Sequence, residues 1–313
     1  MRILFAGSPE IAVPSLERTA GEHTVVGVLT NPDSTRGRGR EACVTSVKST
    51  ARDLGLTILQ PEKLDGAFRE QVRALAPDLL VAVAYGRIFG PRFLELFPRG
   101  GVNVHPSLLP RYRGSSPINA AILNGDSLTG LTIQRLALEM DSGDILMQQE
   151  LPLDGTETAE SLTAVFAGIG AELLSRTLRG LEAGTLTGIP QDHSLATYCG
   201  YIRKDDGKID WSLSAREIHR RFRGYYPWPG IFTFHKGLKL NILKANVYTG
   251  TRTAGEAAPG TVLGMDNQEG FLIQTGNGIL AVTELQLQAK KPLGFRDFGN
   301  GNRDFSGSHL GGE

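Results

Sequence analysis

Cysteine is scarce in this 313-residue chain: Cys43 and Cys199 are its only two. They lie far apart with no CxxC spacing, which excludes a disulfide framework and argues against a structural zinc site. The six histidines, His23, His105, His193, His219, His235 and His309, never fall at metal-ligand spacing, so no metal is expected. Long apolar runs are missing too, none reaching the roughly eighteen residues a membrane span needs. The opening MRILFAG runs straight into a buried-strand pattern instead of a basic-then-apolar leader, so the expected compartment is the cytoplasm, with no membrane partner. Net charge is absent, with 33 Lys and Arg against 33 Asp and Glu, which excludes a chain-wide polyanion binder. The distribution is uneven: from Arg203 onward 15 basic residues stand against 11 acidic ones, leaving 18 against 22 before it. A mildly basic carboxyl part is compatible with a nucleic-acid partner and also with an ordinary surface. Finally, the first turn, GSPE, lacks the second and third glycines of a dinucleotide fingerprint, which excludes NAD and FAD.

What is present fits two domains, with 40% hydrophobic residues to build their cores. Apolar runs predict strands at 3–6, 25–29, 57–59 and 79–83. Between them come helical spacings: Ile11, Val13, Leu16 and Thr19, then 47–54, then 68–75. Strands alternating with helices call for an α/β fold, a Rossmann-like, doubly wound, mainly parallel sheet. A helix is predicted to start at 117–123, strands at 131–138 and 145–153, and a closing helix at 158–183 with Leu162, Val165, Phe166, Ile169, Leu173 and Leu174 as its core face. Residues 184–203, with Gly188, Pro190, Asp192 and Gly200, lack periodicity and read as a linker. The expected division is therefore 1–183, linker 184–203, and 204–313. In the last part Ser214 caps a helix with an Ile218 and Phe222 stripe. Arg216, Arg220 and Arg223 recur on another face, either as a solvated charged face or as an RNA contact. Short strands broken by Gly, Asn and Asp follow, at 231–234, 238–243, 260–263, 271–274 and 279–286, the pattern of a small β-barrel.

Chemistry concentrates in 101–125, GVNVHPSLLPRYRGSSPINAAILNG. In an extended backbone Val102 and Val104 alternate with Asn103 and His105, making the two polar side chains neighbours on one face. Pro106 and Pro110 keep His105 and Leu109 out of the helical region, so 107–110 is a constrained loop whose free amides and carbonyls suit a flat heterocycle. A second stretch, LALEMDSGDILMQQELPL, sets Asp141 and Asp144 around Ser142-Gly143 between two strands. Taken alone it is an ordinary hairpin, as the first stretch alone is an ordinary strand end.

Together the two stretches resemble the paired signatures of the folate-dependent formyltransferases, an N-x-H-x-S-L-L-P loop facing an Asp in a D-[ST]-G-D turn. The resemblance spans 2–297. It implies a catalytic trio of Asn103, His105 and Asp141, a folate site lined by Ser107, Leu108, Leu109 and Pro110, the segment 84–90 (AYGRIFG) against the pterin, and a second domain of OB-like form that assists RNA binding. It also implies 10-formyltetrahydrofolate as co-substrate, no metal, and a monomer acting on methionyl initiator tRNA. The loop 31–48, NPDSTRGRGREACVTSVK, resembles the family's tRNA-acceptor insertion, with Arg36, Arg38 and Arg40 as contacts and Lys48 adding charge. It departs from the family pattern where prolines are usual, carrying Val44-Thr45-Ser46 instead. A nucleotide-sugar N-formyltransferase would share both domains and the trio without the basic GRG loop, a formyltetrahydrofolate hydrolase would use water in place of the amine, and a non-catalytic RNA-binding module would bind no folate. The remaining tail, GNGNRDFSGSHLGGE, has few apolar residues and is expected to be loose.

Overall fold

The first apolar run is strand β1 (Arg2–Gly7), in which Ile3, Leu4, Phe5 and Ala6 are all fully buried. A strand with no wet face needs helices on both sides. The computed structural model describes residues 1–36, 41–252, 255 and 257–311, without the side chains of 35, 36, 41 and 42. In chain order β1 is followed by α1 (Val13–Glu22), β2 (Thr24–Leu29), the antiparallel pair β3 (Ser34–Arg36) and β4 (Glu41–Cys43), α2 (Ser46–Asp53), β5 (Ile58–Leu59) and α3 (Gly66–Ala74). Next come β6 (Leu79–Val83), α4 (Pro91–Leu94), β7 (Gly101–His105), β8 (Arg113–Gly114), α5 (Pro117–Asn124), β9 (Leu128–Arg135), β10 (Ile145–Pro152) and α6 (Ala159–Ala183). Side-chain caps start two of these helices: Thr45 accepts from the Lys48 amide at 3.1 Å and Asp65 from the Phe68 amide at 3.0 Å. Thr45 also meets the buried Thr30 hydroxyl at 2.7 Å, so the threonine standing where prolines are usual anchors α2.

The sheet order is β10-β9-β7-β6-β1-β2-β5, with β5, β2, β1, β6 and β7 parallel and β9 and β10 antiparallel at one edge. This is the doubly wound arrangement expected from the alternation. Leu4, Ala6, Leu80 and Ala82 form one core face with Phe68 and Val72 of α3 and Phe93 of α4. On the other face α1 and α6 are joined by Ser175 Oγ, which donates to the Glu22 carboxylate at 2.7 and 2.9 Å. The buried stripe of α6 runs through Leu162, Phe166, Leu173, Leu174 and Leu178, whereas Val165, expected in the core, is 45% exposed because it sits one position off that stripe.

Strand order reverses between β1 and β6, and open α/β sheets hold ligands outside the carboxyl ends of strands at such a point. Gly7 ends β1 there, so close to β6 that a Cβ would stand 2.9 Å from the Val83 carbonyl oxygen. Residues 184–203 do not behave as a free linker. Ile189 exchanges backbone hydrogen bonds with Ile145 at 2.8 and 2.9 Å, Gln191 is buried, and β11 (Tyr198–Cys199) pairs with β8. Accordingly the first compact unit comprises Met1–Ala121, Ser127–Leu153 and Ser161–Tyr201.

The second unit comprises Ile122–Asp126, Asp154–Glu160 and Ile202–Glu313. Its α7 (Ala215–Gly224) begins with the expected Ser214 cap, reinforced by a reciprocal bond from Glu217. The arginines of this helix are not one solvated face: Arg216 is exposed, but Arg223 is buried and its Nη1 donates to the Glu157 carbonyl at 2.7 Å. The strands β12 (Ile231–His235), β13 (Leu238–Val247), β14 (Val262–Asp266), β15 (Gly270–Gln274), β16 (Ile279–Leu287) and β17 (Leu293–Gly294) form an antiparallel sheet, followed by α8 (Phe295–Gly301). The tail corrects the expectation of looseness, because Phe305 and Leu310 are at most 1% exposed and belong to the core of this unit. Few apolar residues suffice when each fills the same hole.

Candidate active site

Strand register places the polar residues first. In β7 Asn103 stands opposite Gln134 of β9, and His105 opposite Thr132. Directly opposed residues share a face of the sheet, so one side carries a polar stripe of Asn103, Gln134, His105 and Thr132. The alternation of Thr132 and Gln134 within LTIQR made this legible in the sequence, although only the β7 half was recognised as functional.

His105 is 3% exposed, and its Nε2 donates to the Tyr112 carbonyl at 2.9 Å. A carbonyl only accepts, so the neutral ring carries its proton on Nε2 and its lone pair on Nδ1. That lone pair lies 3.6 Å from Asp141 Oδ1. Burial holds the His105 pKa below its ordinary value, while the Asp141 charge and the Tyr112 carbonyl pull it upward.

Asp141 occupies the left-handed region, φ 51°, which aspartate tolerates better than most residues but which its surroundings must still hold. Its Oδ1 accepts from Gln134 Nε2 at 2.8 Å and Asn103 Nδ2 at 3.4 Å, and its Oδ2 from the Gly114 amide at 2.9 Å. Two residues on, Gly143 crosses so close to Arg135 that any Cβ would collide with the Arg135 carbonyl. The turn therefore needs Gly143 for steric reasons, independent of chemistry. Asp144, the other acidic residue of the turn, is exposed and points to no partner in the stripe.

The stripe opens into a cavity of about 590 Å³ at the strand-order reversal, lined by Pro9 and Ile11 after β1, by residues 82–89 after β6, by Asn103, His105 and Pro106, by 114–119, and by 134–141. Its walls include Leu94, Val104 and Phe166. The buried Ser15 Oγ on the lining has no hydrogen-bond partner among the described residues, and the buried Tyr85 hydroxyl lies beside the Arg87 guanidinium. Ile88 (79%), Leu138 (66%), Met140 (55%) and Tyr201 (77%) are exposed apolar or aromatic side chains on the same lining, the composition of a binding cleft rather than a plain surface.

The expected placements divide. Asn103, His105 and Asp141 come together, and the segment 84–90 reaches the cavity through Ala84 to Phe89. Ser107, Leu108, Leu109 and Pro110 do not line it. Ser107 is fully buried with its Oγ on the Arg111 carbonyl at 2.6 Å, and the Leu109 amide donates to Thr132 Oγ1 at 3.2 Å. Gln148 Nε2 closes the loop on the Leu109 carbonyl at 2.9 Å, so these four residues turn toward β9 and β10. Of the basic loop, Arg38, Arg40 and the Arg36 side chain lie outside the described residues. Lys48 is described, paired with Asp33 at 2.5 Å. Gln134, Arg113 and Gln191 are site residues that sequence reasoning missed, the last because nothing in IPQDHS marks it. Among the described residues no group of His, Cys, Asp and Glu could hold a metal ion, and no helix is long and apolar enough to cross a membrane.

Comparison with known proteins covers most of the chain. The family model described as Formyl transferase matches residues 1–178, and that described as Formyl transferase, C-terminal domain, matches 201–303. The methionyl-tRNA formyltransferase of Treponema denticola is 48% identical over 97% of this chain and 98% of its own length. That of Roseiflexus castenholzii is 44% identical over 100% and 99%. Among solved structures, the N-formyltransferase from Helicobacter canadensis in complex with folinic acid and dTDP-3-aminofucose superposes with a TM-score of 0.66 at 20% identity, over 90% of this chain and 98% of that one, a likeness of fold.

Proposed function

The chain belongs to the formyl transferase family, and from that premise we propose that it transfers the formyl group of 10-formyltetrahydrofolate to the α-amino group of methionine on initiator tRNA. The observation that carries this reading is the end-to-end relationship with proteins of that activity, at 48% and 44% identity, against 20% for the neighbour that holds an amino-sugar nucleotide. The enzyme works in the cytoplasm as a monomer, with its carboxyl unit assisting tRNA binding.

The cavity suits a folate: apolar walls for flat rings, with the buried Ser15 hydroxyl available to a ring heteroatom. When bound, the folate supplies a formyl carbon at the amide level, a poor electrophile. Asn103 answers the negative charge that grows on the formyl oxygen. One of its amide hydrogens leans toward Asp141, and the other is free to donate to that oxygen. His105 Nδ1, or a water held by Asp141, takes the proton released as the methionine nitrogen bonds to the formyl carbon, and returns it to the folate nitrogen as the bond from that nitrogen to the formyl carbon breaks and tetrahydrofolate leaves. Asp141, bonded by Gln134 and Gly114, is held beside the imidazolium so formed, as carboxylates are in acyl-transfer sites. No covalent enzyme intermediate is required. Ser107 to Pro110 act by shaping the β7 exit rather than by touching the rings.

The pH dependence follows. If neutral His105 is the active form, kcat/KM rises with pH through a pKa below the ordinary histidine value, and Asp141→Asn, by removing the charge that raises it, moves this acid limb to still lower pH. A pH–rate profile of both proteins reads the shift directly. An Asp141→Asn limb displaced to higher pH would reject His105 as the base.

Acceptor choice is tested by offering charged initiator tRNA and an amino-sugar nucleotide side by side, where preference for the sugar would overturn the reading. Arg38 between two glycines is the residue of the basic loop to change. Arg38→Ala is expected to weaken tRNA use and flatten its salt dependence by roughly one unit of slope, with folate binding unchanged. Equal efficiency and equal slopes across a salt series would take the loop out of tRNA recognition.

A further inference from the structure

The Asp141 turn is held from below by a side chain that the reaction scheme does not use. Ile189 pairs with Ile145 at the root of the turn and so delivers Gln191, 5% exposed, beneath it. Gln191 Nε2 donates to two carbonyls of the turn, Asp141 O at 2.9 Å and Gly143 O at 2.7 Å. Its Oε1 accepts twice from one guanidinium, Arg113 Nε at 3.1 Å and Nη2 at 2.6 Å. Carbonyls only accept and a guanidinium only donates, so one orientation of the amide satisfies these four contacts, and in it Nε2 also donates to Gln134 Oε1 at 3.4 Å. Arg113 is itself 2% exposed, and its remaining partners are His193 Nδ1 at 3.2 Å and the Tyr198 hydroxyl at 3.4 Å. A buried guanidinium facing neutral partners is costly to keep, and its donors converge on Gln191. Arg113 also precedes Gly114, whose amide holds Asp141 Oδ2. Gln191 thus grips the backbone of the turn from one side, while Gly114, next in the chain to Arg113, holds its carboxylate from the other.

We propose that Gln191, clamped by Arg113, is a positioning residue that keeps the Asp141 turn in its left-handed conformation and so sets the carboxylate against His105 and Asn103. The proposal rests on the catalytic reading of those three residues. Neither Gln191 nor Arg113 lines the cavity. Its effect on catalysis runs through Asp141: with the turn loosened, the carboxylate leaves the 3.6 Å approach to His105 Nδ1, and the protonated ring loses its support. The titratable and charged groups around this point are His105 on β7, Asp141 on the turn, the Cys199 thiol on β11, whose pKa burial pushes up, and Arg113 and His193 behind Gln191.

The test uses the full-length protein with charged initiator tRNA as acceptor. Gln191→Met keeps the side chain's length and removes all five hydrogen bonds. It is expected to lower kcat by between about tenfold and a hundredfold. Tetrahydrofolate binding and KM for tRNA stay at the wild-type level, and the acid limb of the pH profile moves to lower pH, in the direction of the Asp141→Asn control. A lowered kcat with an unmoved acid limb would mean that Gln191 is merely part of the packing, and overturns the proposal, as does a normal kcat. If Gln191→Met proves insoluble, Arg113→Lys, which keeps the charge but breaks the two-point grip on Oε1, is read by the same criteria. An Asp141→Asn protein with normal turnover would instead reject the trio itself. An impaired Asp141→Asn beside a normal Gln191→Met rejects the clamp alone.

Discussion

Asp141→Ala lowers formyl transfer by at least about a hundredfold in a protein that still folds, the scale of losing an acid-base or charge-stabilising group. The carboxylate gathers donors from three places, the β9 side chain Gln134, the β7 side chain Asn103 and the Gly114 amide, and stands beside the His105 lone pair. Removing it leaves those donors without an acceptor and a buried histidine without a counter-charge. Because the site borders the cavity, water can reach the orphaned donors, and the cost to folding stays moderate. Asn103→Ala and His105→Ala are expected to lose activity on the same scale. The measurement is single-turnover transfer at saturating folate, with circular dichroism as a check on folding. A folded Asp141→Ala enzyme with near-normal turnover would dissolve the trio.

The largest expected effect on stability lies at the other end of the chain. Phe305 is fully buried, edge-on to Phe271 at 4.7 Å, to Phe298 at 5.0 Å and to His235 at 5.0 Å between ring centres. Truncating a ring so enclosed to alanine costs roughly 3–5 kcal/mol, the lost transfer free energy plus the cavity left behind. Phe305→Ala should therefore lower the urea midpoint of the carboxyl unit sharply while folate binding by the first unit persists. A change of less than about 1 kcal/mol would return the tail to the loose segment that its composition suggests.

Much of the first unit was legible because its signals are local. Residues 79–83 form the expected strand, and 117–123 and 47–54 fall within a residue of the observed helices, since apolar periodicity and Thr or Asp caps act over a few positions. Asn103 and His105 were legible for the same reason: a two-residue period in an extended chain puts them together before anything else folds. Asp141 could be tied to them only through the resemblance of the two stretches, because no local rule links residues 38 positions apart. Residues 107–110 show the limit of a motif, being rightly identified as a constrained loop but facing β9 and β10 instead of the cavity.

By itself, then, the sequence determined the strand and helix alternation, the polar face of β7 and the Ser214 cap. These depend on backbone sterics and on neighbours within a turn or two. Only the tertiary structure decided that His105 carries its proton on Nε2, that Gln134 and Gln191 hold Asp141, that Arg223 is buried, and that Phe305 and Leu310 complete a core. Each of those facts is a meeting of distant segments. The free energy that selects it comes from removing particular polar and apolar groups from water together, which a reading of one segment at a time does not contain.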